Sequence, residues 1–217
     1  MTIDELDSLL KKKFGNKVLR PHGDPVGELV RTILSQNTSD VNRDQAYRRL
    51  RMKFPRWEDL LNARVTSIQA AIKSGGLAAI KAPRIKKILK EIDEENERID
   101  LSGLKRKTVS RGMKYLMSFN GVGEKTAACV LLFSFGKKVF PVDTHIYRVA
   151  QRLNLIPENC GREKAFEILN DMVPEKYFYR LHLNLIELGR KVCKPKKPKC
   201  VECTLNKLCP SAFSFED

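Results

Sequence analysis

Residues 116–128 read LMSFNGVGEKTAA: an apolar helix end, a tight turn through Gly121-Val122-Gly123, and a new helical run from Glu124. Two glycines let a backbone turn sharply and come close to a phosphate. The helix that follows presents N–H donors at its positive end. This is a helix-hairpin-helix DNA-binding signature, which puts Gly121, Val122 and Gly123 against a nucleic-acid backbone, although a GVG turn between helices also serves simply as a turn. Lys125 falls in the first turn of the second helix, where a cation opposes the helix dipole. Local helix stability therefore does not account for it.

Outward from this turn, helical periodicity runs through most of the chain. Val26, Leu29, Val30, Ile33 and Leu34 mark one apolar face, and Ala165, Ile168, Leu169 and Met172 mark another. Further helices are expected at about 41–53, 67–74, 83–94, 109–118, 124–135, 144–154 and 176–190. Strand alternation is nearly absent, so the fold class is all-α. Asp40 and Thr66 suit N-caps, Pro83 suits a first helical turn, and Gly75-Gly76 can close the helix before it. The charge-rich stretch 94–107 is expected to be a mobile loop. Neither a repeat nor a long linker interrupts the 217 residues, so any two lobes are joined by ordered turns.

Forty-two per cent hydrophobic content is enough for a buried core, and 41 Lys and Arg against 26 Asp and Glu leave a net charge of +15. A surface of that sign suits a polyanion, with nucleic acid first. Apolar stretches fall far short of the roughly 20 residues a membrane span needs, so no membrane partner is expected. The stretch MTIDELDSLLKKKF mixes acids with bases and lacks an apolar leader core, which points to an intracellular chain, in cytoplasm or nucleoid. That setting argues against a disulfide framework.

Cys193, Cys200, Cys203 and Cys209 form a C-x6-C-x2-C-x5-C array within 17 residues. Four thiols so close in a reducing compartment call for a metal. Structural zinc usually takes two short Cys pairs, and only Cys200 and Cys203 make one here. The spacing favours an iron–sulfur cluster and leaves zinc open. Lys194, Lys196, Lys197 and Lys199 stud the loop between the first two ligands, where a ligand-bounded loop would present them to phosphates at low entropic cost. A solvated charge run is the plain alternative. Cys129 and Cys160 lie outside the array and read as small core or surface residues.

An amine must be neutral to attack, and partial burial near other cations lowers a lysine pKa toward that state. Lys125 is the best candidate nucleophile in the sequence. Chemistry at a sugar C1′ also wants a carboxylate, and PVDTHIYRV offers Asp143. A helix over 124–135 rises about 18 Å, and residues 136–142 can span roughly 23 Å when extended, so the chain can return to the lysine. Asp143 also reads as the N-cap of a helix from Thr144, a role compatible with catalysis. His145 reads as structural.

Taken together, FNGVGEKTAACVLLFSFG, FPVDTHIYRVAQRL and the ELGRKVC start of the cysteine array resemble the endonuclease III family, iron–sulfur members of the helix-hairpin-helix DNA glycosylases. Weaker similarity in PVGELVRTILSQNTSD and GGLAAIKAPRIKKIL extends the resemblance over nearly the whole chain. It implies a bifunctional glycosylase and apurinic/apyrimidinic (AP) lyase that removes oxidised pyrimidines from damaged double-stranded DNA. Lys125 would be the Schiff-base nucleophile, Asp143 the catalytic carboxylate, and the four cysteines the ligands of a [4Fe–4S] cluster.

The implied fold has two helical lobes with DNA in the cleft between them: a six-helix barrel lobe over 24–135, and a cluster lobe from 1–23 and 136–217. The residues that fill the gap left by a flipped base would be Asn37, or its neighbour Gln36, and Leu77, whose plain alternatives are a helix cap and a core leucine. Asn37 departs from the glutamine common at its position, and Asn120 from the proline common before GVG. The family also implies a monomer. Two other readings stay open: a mismatch- or modified-base-specific glycosylase of the same fold, and a non-catalytic iron–sulfur DNA-binding module.

Overall fold

A computed structural model describes residues 1–214, and every regular element among them is helical. The α-helices are α1 (Ile3–Phe14), α2 (Pro25–Leu34), α3 (Asp40–Lys53), α4 (Trp57–Asn62), α5 (Val65–Ile72), α6 (Ala78–Asn96), α7 (Val109–Met117), α8 (Glu124–Phe135), α9 (Thr144–Arg152), α10 (Arg162–Met172) and α11 (Phe178–Lys191). The chain divides into two compact units, His22–Phe135 on the one hand and Met1–Pro21 with Gly136–Asp217 on the other. A single excursion of the chain builds the first unit, and the two ends build the second.

In the unit His22–Phe135, α8 is buried on nearly every side, from Thr126 through Leu132, as expected of a helix apolar all round. It packs on α2 and α7. Nine of the ten residues of α2 are buried, and Leu29, Ile33 and Leu34 are wholly inaccessible. Truncating any of these to alanine costs about 2–5 kcal/mol. Gly112 sets the close approach of α7 to α8, since a Cβ there would stand 3.0 Å from a methyl of Leu131.

Several local expectations are corrected. Within this unit the short α4 (Trp57–Asn62) joins the helices expected from periodicity. Helix α6 starts at Ala78, so Pro83 lies inside it and not in its first turn. The early start is fixed by Leu77, whose carbonyl accepts from the N–H groups of Ile80 and Lys81. The cap of α3 is Ser39, whose hydroxyl accepts from Asn42 N, while Asp40 is the first helical residue and pairs with Arg43. Thr66 lies within α5, and Arg64 precedes that helix with no side-chain cap. Residues 94–107 are no open loop: a 3-10 segment, Ser102–Arg106, follows α6, and Ile99, Leu101 and Leu104 are buried.

In the second unit, α1 packs on α11 and α11 on α9. Leu6 and Leu10 bury the inner face of α1. Between them, buried Asp7 receives both Nε and a terminal nitrogen of Arg180, at 2.9 and 2.6 Å. Phe140 and Phe178 stack in a tilted pair 5.6 Å apart. Asn170 bridges the backbone of Phe140 at both its N–H and its carbonyl, which holds the chain just ahead of Asp143.

Candidate functional site

The hairpin between α7 and α8 is anchored by its apolar members. Phe119 and Val122 are buried, and Val122 N donates to Phe119 O at 3.1 Å, so the turn folds back on itself and leaves Gly121 and Gly123 exposed. Gly121 sits at φ +79°, in the left-handed region where glycine is at ease. An open depression lies beside it, walled by Lys87, Glu91, Met117, Asn120 and the turn itself. Lys125 is the second residue of α8 and is half-buried, between the exposed turn and the first fully buried residue, Thr126.

Gln36 belongs to the same locality. Its side-chain amide donates to the carbonyl of Gly121 at 3.3 Å, and its carbonyl oxygen accepts from Arg84 at 3.0 Å. Arg84 was missed in the sequence; its guanidinium and Cδ lie where a Cβ on Gly121 would go, at 2.4–2.8 Å. Asn37 is left exposed at the tip of the following turn with φ 53°, and Ser39, not Asn37, caps the next helix. Leu77 is no core residue: it is 46% exposed at φ 52°. Asn37 and Leu77 are thus solvent-facing side chains on left-handed backbone.

In the second unit Asp143 caps α9, with Oδ1 accepting from His145 N at 2.9 Å and from Ile146 N at 2.8 Å. Both bonds fall on Oδ1, and Oδ2 takes neither. Burial pushes the pKa of His145 down, and its Nδ1 faces Arg148 at 3.2 Å, in keeping with a structural role.

The cysteines Cys193, Cys200, Cys203 and Cys209 line one cavity, together with Arg152, Val192, Pro198 and Asn206. Two arginines of α9 hold the start of the array. Arg148 donates from Nε and a terminal nitrogen to the carbonyl of Cys193, at 3.1 and 3.0 Å. Arg152 donates to Cys193 Sγ at 3.3 Å and to the carbonyls of Lys194 and Pro195 at 2.7 and 3.0 Å. Their spacing of four residues was the available signal, since it puts both on one helix face. Burial pushes the Cys203 and Cys209 thiols up, and the neighbouring cysteines push them further. A cationic core between them would reverse that repulsion.

Among the described residues no group of three or more His, Cys, Asp or Glu is arranged for a single metal ion. Four thiols line one cavity, and four thiolates are a donor set for zinc and for iron–sulfur clusters alike. Lys194, Lys196, Lys197 and Lys199 are exposed on the intervening loop, and Lys199 pairs with Glu202 at 2.8 Å. Cys129 and Cys160 are buried apart from this cavity. No helix among the described residues is long and apolar enough to cross a membrane.

Residues 30–175 match the model of the HhH-GPD superfamily of base excision DNA repair proteins. An Arabidopsis thaliana relative bearing a DNA glycosylase name is 40% identical over 76% of this chain, which spans 56% of that relative's length. Endonuclease III of Thermotoga maritima is 31% identical over 95% of this chain and 92% of its own. The structure of a trapped covalent intermediate between endonuclease III and DNA superposes with a TM-score of 0.82 at 26% identity, covering 99% of this chain and 98% of that one. With the hairpin, the Asp143 cap and the four-cysteine cavity all in place, these matches say plainly that the chain belongs to the HhH-GPD superfamily of base excision DNA repair proteins and, within it, to the endonuclease III family.

Proposed function

We propose that this chain is a bifunctional DNA glycosylase and AP lyase that removes oxidised pyrimidines from duplex DNA. The observation that carries the reading is Lys125, a half-buried amine in the first turn of the helix that leaves an exposed glycine hairpin. The covalent DNA intermediate of the related endonuclease III supports a nucleophilic route.

A base inside the stack is out of reach, so the target nucleotide is extruded and its place filled. Asn37 and Leu77 are the filling residues in this scheme, because both are exposed while the amide of Gln36 is engaged by Gly121 and Arg84. The amine of Lys125 attacks C1′, the N-glycosidic bond breaks, and its electron pair leaves with the base, which is protonated. Loss of the amine proton and opening of the sugar give an imine. This acidifies C2′; removal of a C2′ proton expels the 3′ phosphate by β-elimination. Asp143 receives a proton or steadies positive charge on the sugar through Oδ2, while Oδ1 remains the helix cap.

Cys193, Cys200, Cys203 and Cys209 would hold a [4Fe–4S] cluster. When bound it would pin the 193–209 segment, so that Lys194, Lys196 and Lys197 would meet phosphates from a fixed loop. Incision assays on duplexes carrying thymine glycol, a T·G mismatch, 5-methylcytosine or a preformed abasic site test the reading. Strand cleavage 3′ to thymine glycol and at the abasic site is expected. Base release from the mismatch or 5-methylcytosine alone would replace the substrate assignment.

A further inference from the structure

Lys81 is 1% exposed and heads the largest fully buried side chains of the protein, yet no carboxylate among the described residues pairs with it. A methionine or leucine would fill the same space without desolvating an ammonium, so core packing does not explain the lysine. Its hydrogen bonds do. Nζ donates to the carbonyl of Leu34 at 2.8 Å and to the carbonyl of Gly75 at 2.9 Å. Leu34 is the last residue of α2, where helix carbonyls lack intrahelical partners. Gly75 ends the 3-10 segment Lys73–Gly75.

Each of these carbonyls lies just ahead of a strained tip. Asn37 follows Leu34 by three residues and Leu77 follows Gly75 by two. Both are left-handed non-glycine residues, at φ 53° and φ 52°. For Leu77, with its branched apolar side chain in solvent, neither turn chemistry nor burial favours that conformation. Strain of this kind persists where the surroundings over-determine it, and it gathers at functional sites. One buried ammonium thus ties together the roots of the two tips that the proposed function sends into the duplex.

We propose that Lys81 is a positioning residue: by bonding the Leu34 and Gly75 carbonyls together it fixes the separation of Asn37 and Leu77, and so sets the wedge that extrudes the target base. The proposal rests on the glycosylase reading given above.

The test uses the full chain with its cluster loaded, as wild type, Lys81→Met, which keeps the volume and removes the donors, and Lys81→Gln, which restores N–H donors. Single-turnover base release from a thymine glycol duplex is compared with strand cleavage at a preformed abasic site, where no base has to be extruded. Extrusion itself is followed by the fluorescence of 2-aminopurine placed beside the lesion, and circular dichroism melting reports the folded fraction. Lys81→Met is expected to lose the fluorescence rise and at least about tenfold in base release, while abasic cleavage stays within about threefold; Lys81→Gln recovers part of both losses.

Equal losses on the two duplexes, tracking the folded fraction, would reduce Lys81 to a stability role and overturn the proposal, as would failure of both variants to fold. Wild type that cleaves neither duplex would remove the glycosylase reading and this proposal with it. That outcome is told apart by the wild-type reaction alone.

Discussion

Gln36 donates its side-chain amide to the carbonyl of Gly121, 85 positions along the chain, at 3.3 Å. Arg84 completes the contact from α6 by donating to the Gln36 carbonyl oxygen at 3.0 Å. The turn after α2 and the hairpin between α7 and α8 are thereby held in register by one amide that uses both its ends. Gln36→Ala and Arg84→Ala are each expected to destabilise the protein by about 1 kcal/mol. The double variant should cost less than their sum, with a coupling of about 0.5–1.5 kcal/mol in urea denaturation. Strict additivity would mean that the two side chains act independently.

Gly121 and Gly123 flank the same hairpin tip but differ in what surrounds them. At Gly121 a Cβ meets Arg84 at 2.4 Å and the backbone is left-handed, whereas at Gly123 nothing lies within 4 Å. Gly121→Ala is expected to displace Arg84 from Gln36 and lower stability by roughly 1–3 kcal/mol. Gly123→Ala should stay within about 0.5 kcal/mol of wild type. Thermal melts of the two variants side by side decide the matter, and equal losses would contradict the Arg84 contact.

Asp143 combines a cap with a proposed chemical role, and two substitutions separate them. Asparagine retains a capping oxygen, so Asp143→Asn should melt close to wild type yet lose about 10²- to 10⁴-fold in base release. Asp143→Ala should lose the activity and also about 1 kcal/mol of stability. Full activity in Asp143→Asn would confine the residue to capping α9.

Acid sensitivity has a traceable source in Asp44. Burial alone would raise its pKa, but hydrogen bonds from Arg43 and Arg31 outweigh burial and hold it below the ordinary 3.8. A carboxylate lowered in the folded state stabilises the fold above its unfolded pKa, and that stability is lost as pH falls through the folded value. Asp44→Asn should therefore be less stable than wild type at pH 7, with the gap closing from about pH 5 downward. Denaturation curves across that range check it; a gap independent of pH would place the effect in packing rather than charge.

How much of this was legible in the sequence depended on the kind of signal. The hairpin, the four-cysteine array and the Asp143 cap are short motifs whose physics is local, and the structure places each as a turn, a shared cavity and a capped helix. Lys81 and Arg84 were not legible, and of Arg148 and Arg152 only their four-residue spacing on one helix face was. Most of their partners lie far along the chain, Leu34 for Lys81, Gln36 for Arg84 and the Cys193 segment for the two arginines of α9, and a lone basic residue in a chain of charge +15 carries no mark that separates it from a solvated surface. Boundaries failed for a related reason. Leu77 opens α6 from a left-handed conformation that no leucine advertises, and the charge of 94–107 masked three apolar residues that fold inward.

The most direct test of Lys125 as the nucleophile is borohydride trapping on duplexes carrying thymine glycol or an abasic site, with wild type beside Lys125→Ala. Wild type is expected to form a covalent, reduction-stable complex with both duplexes, and the variant with neither. Undiminished trapping by Lys125→Ala would contradict the assignment.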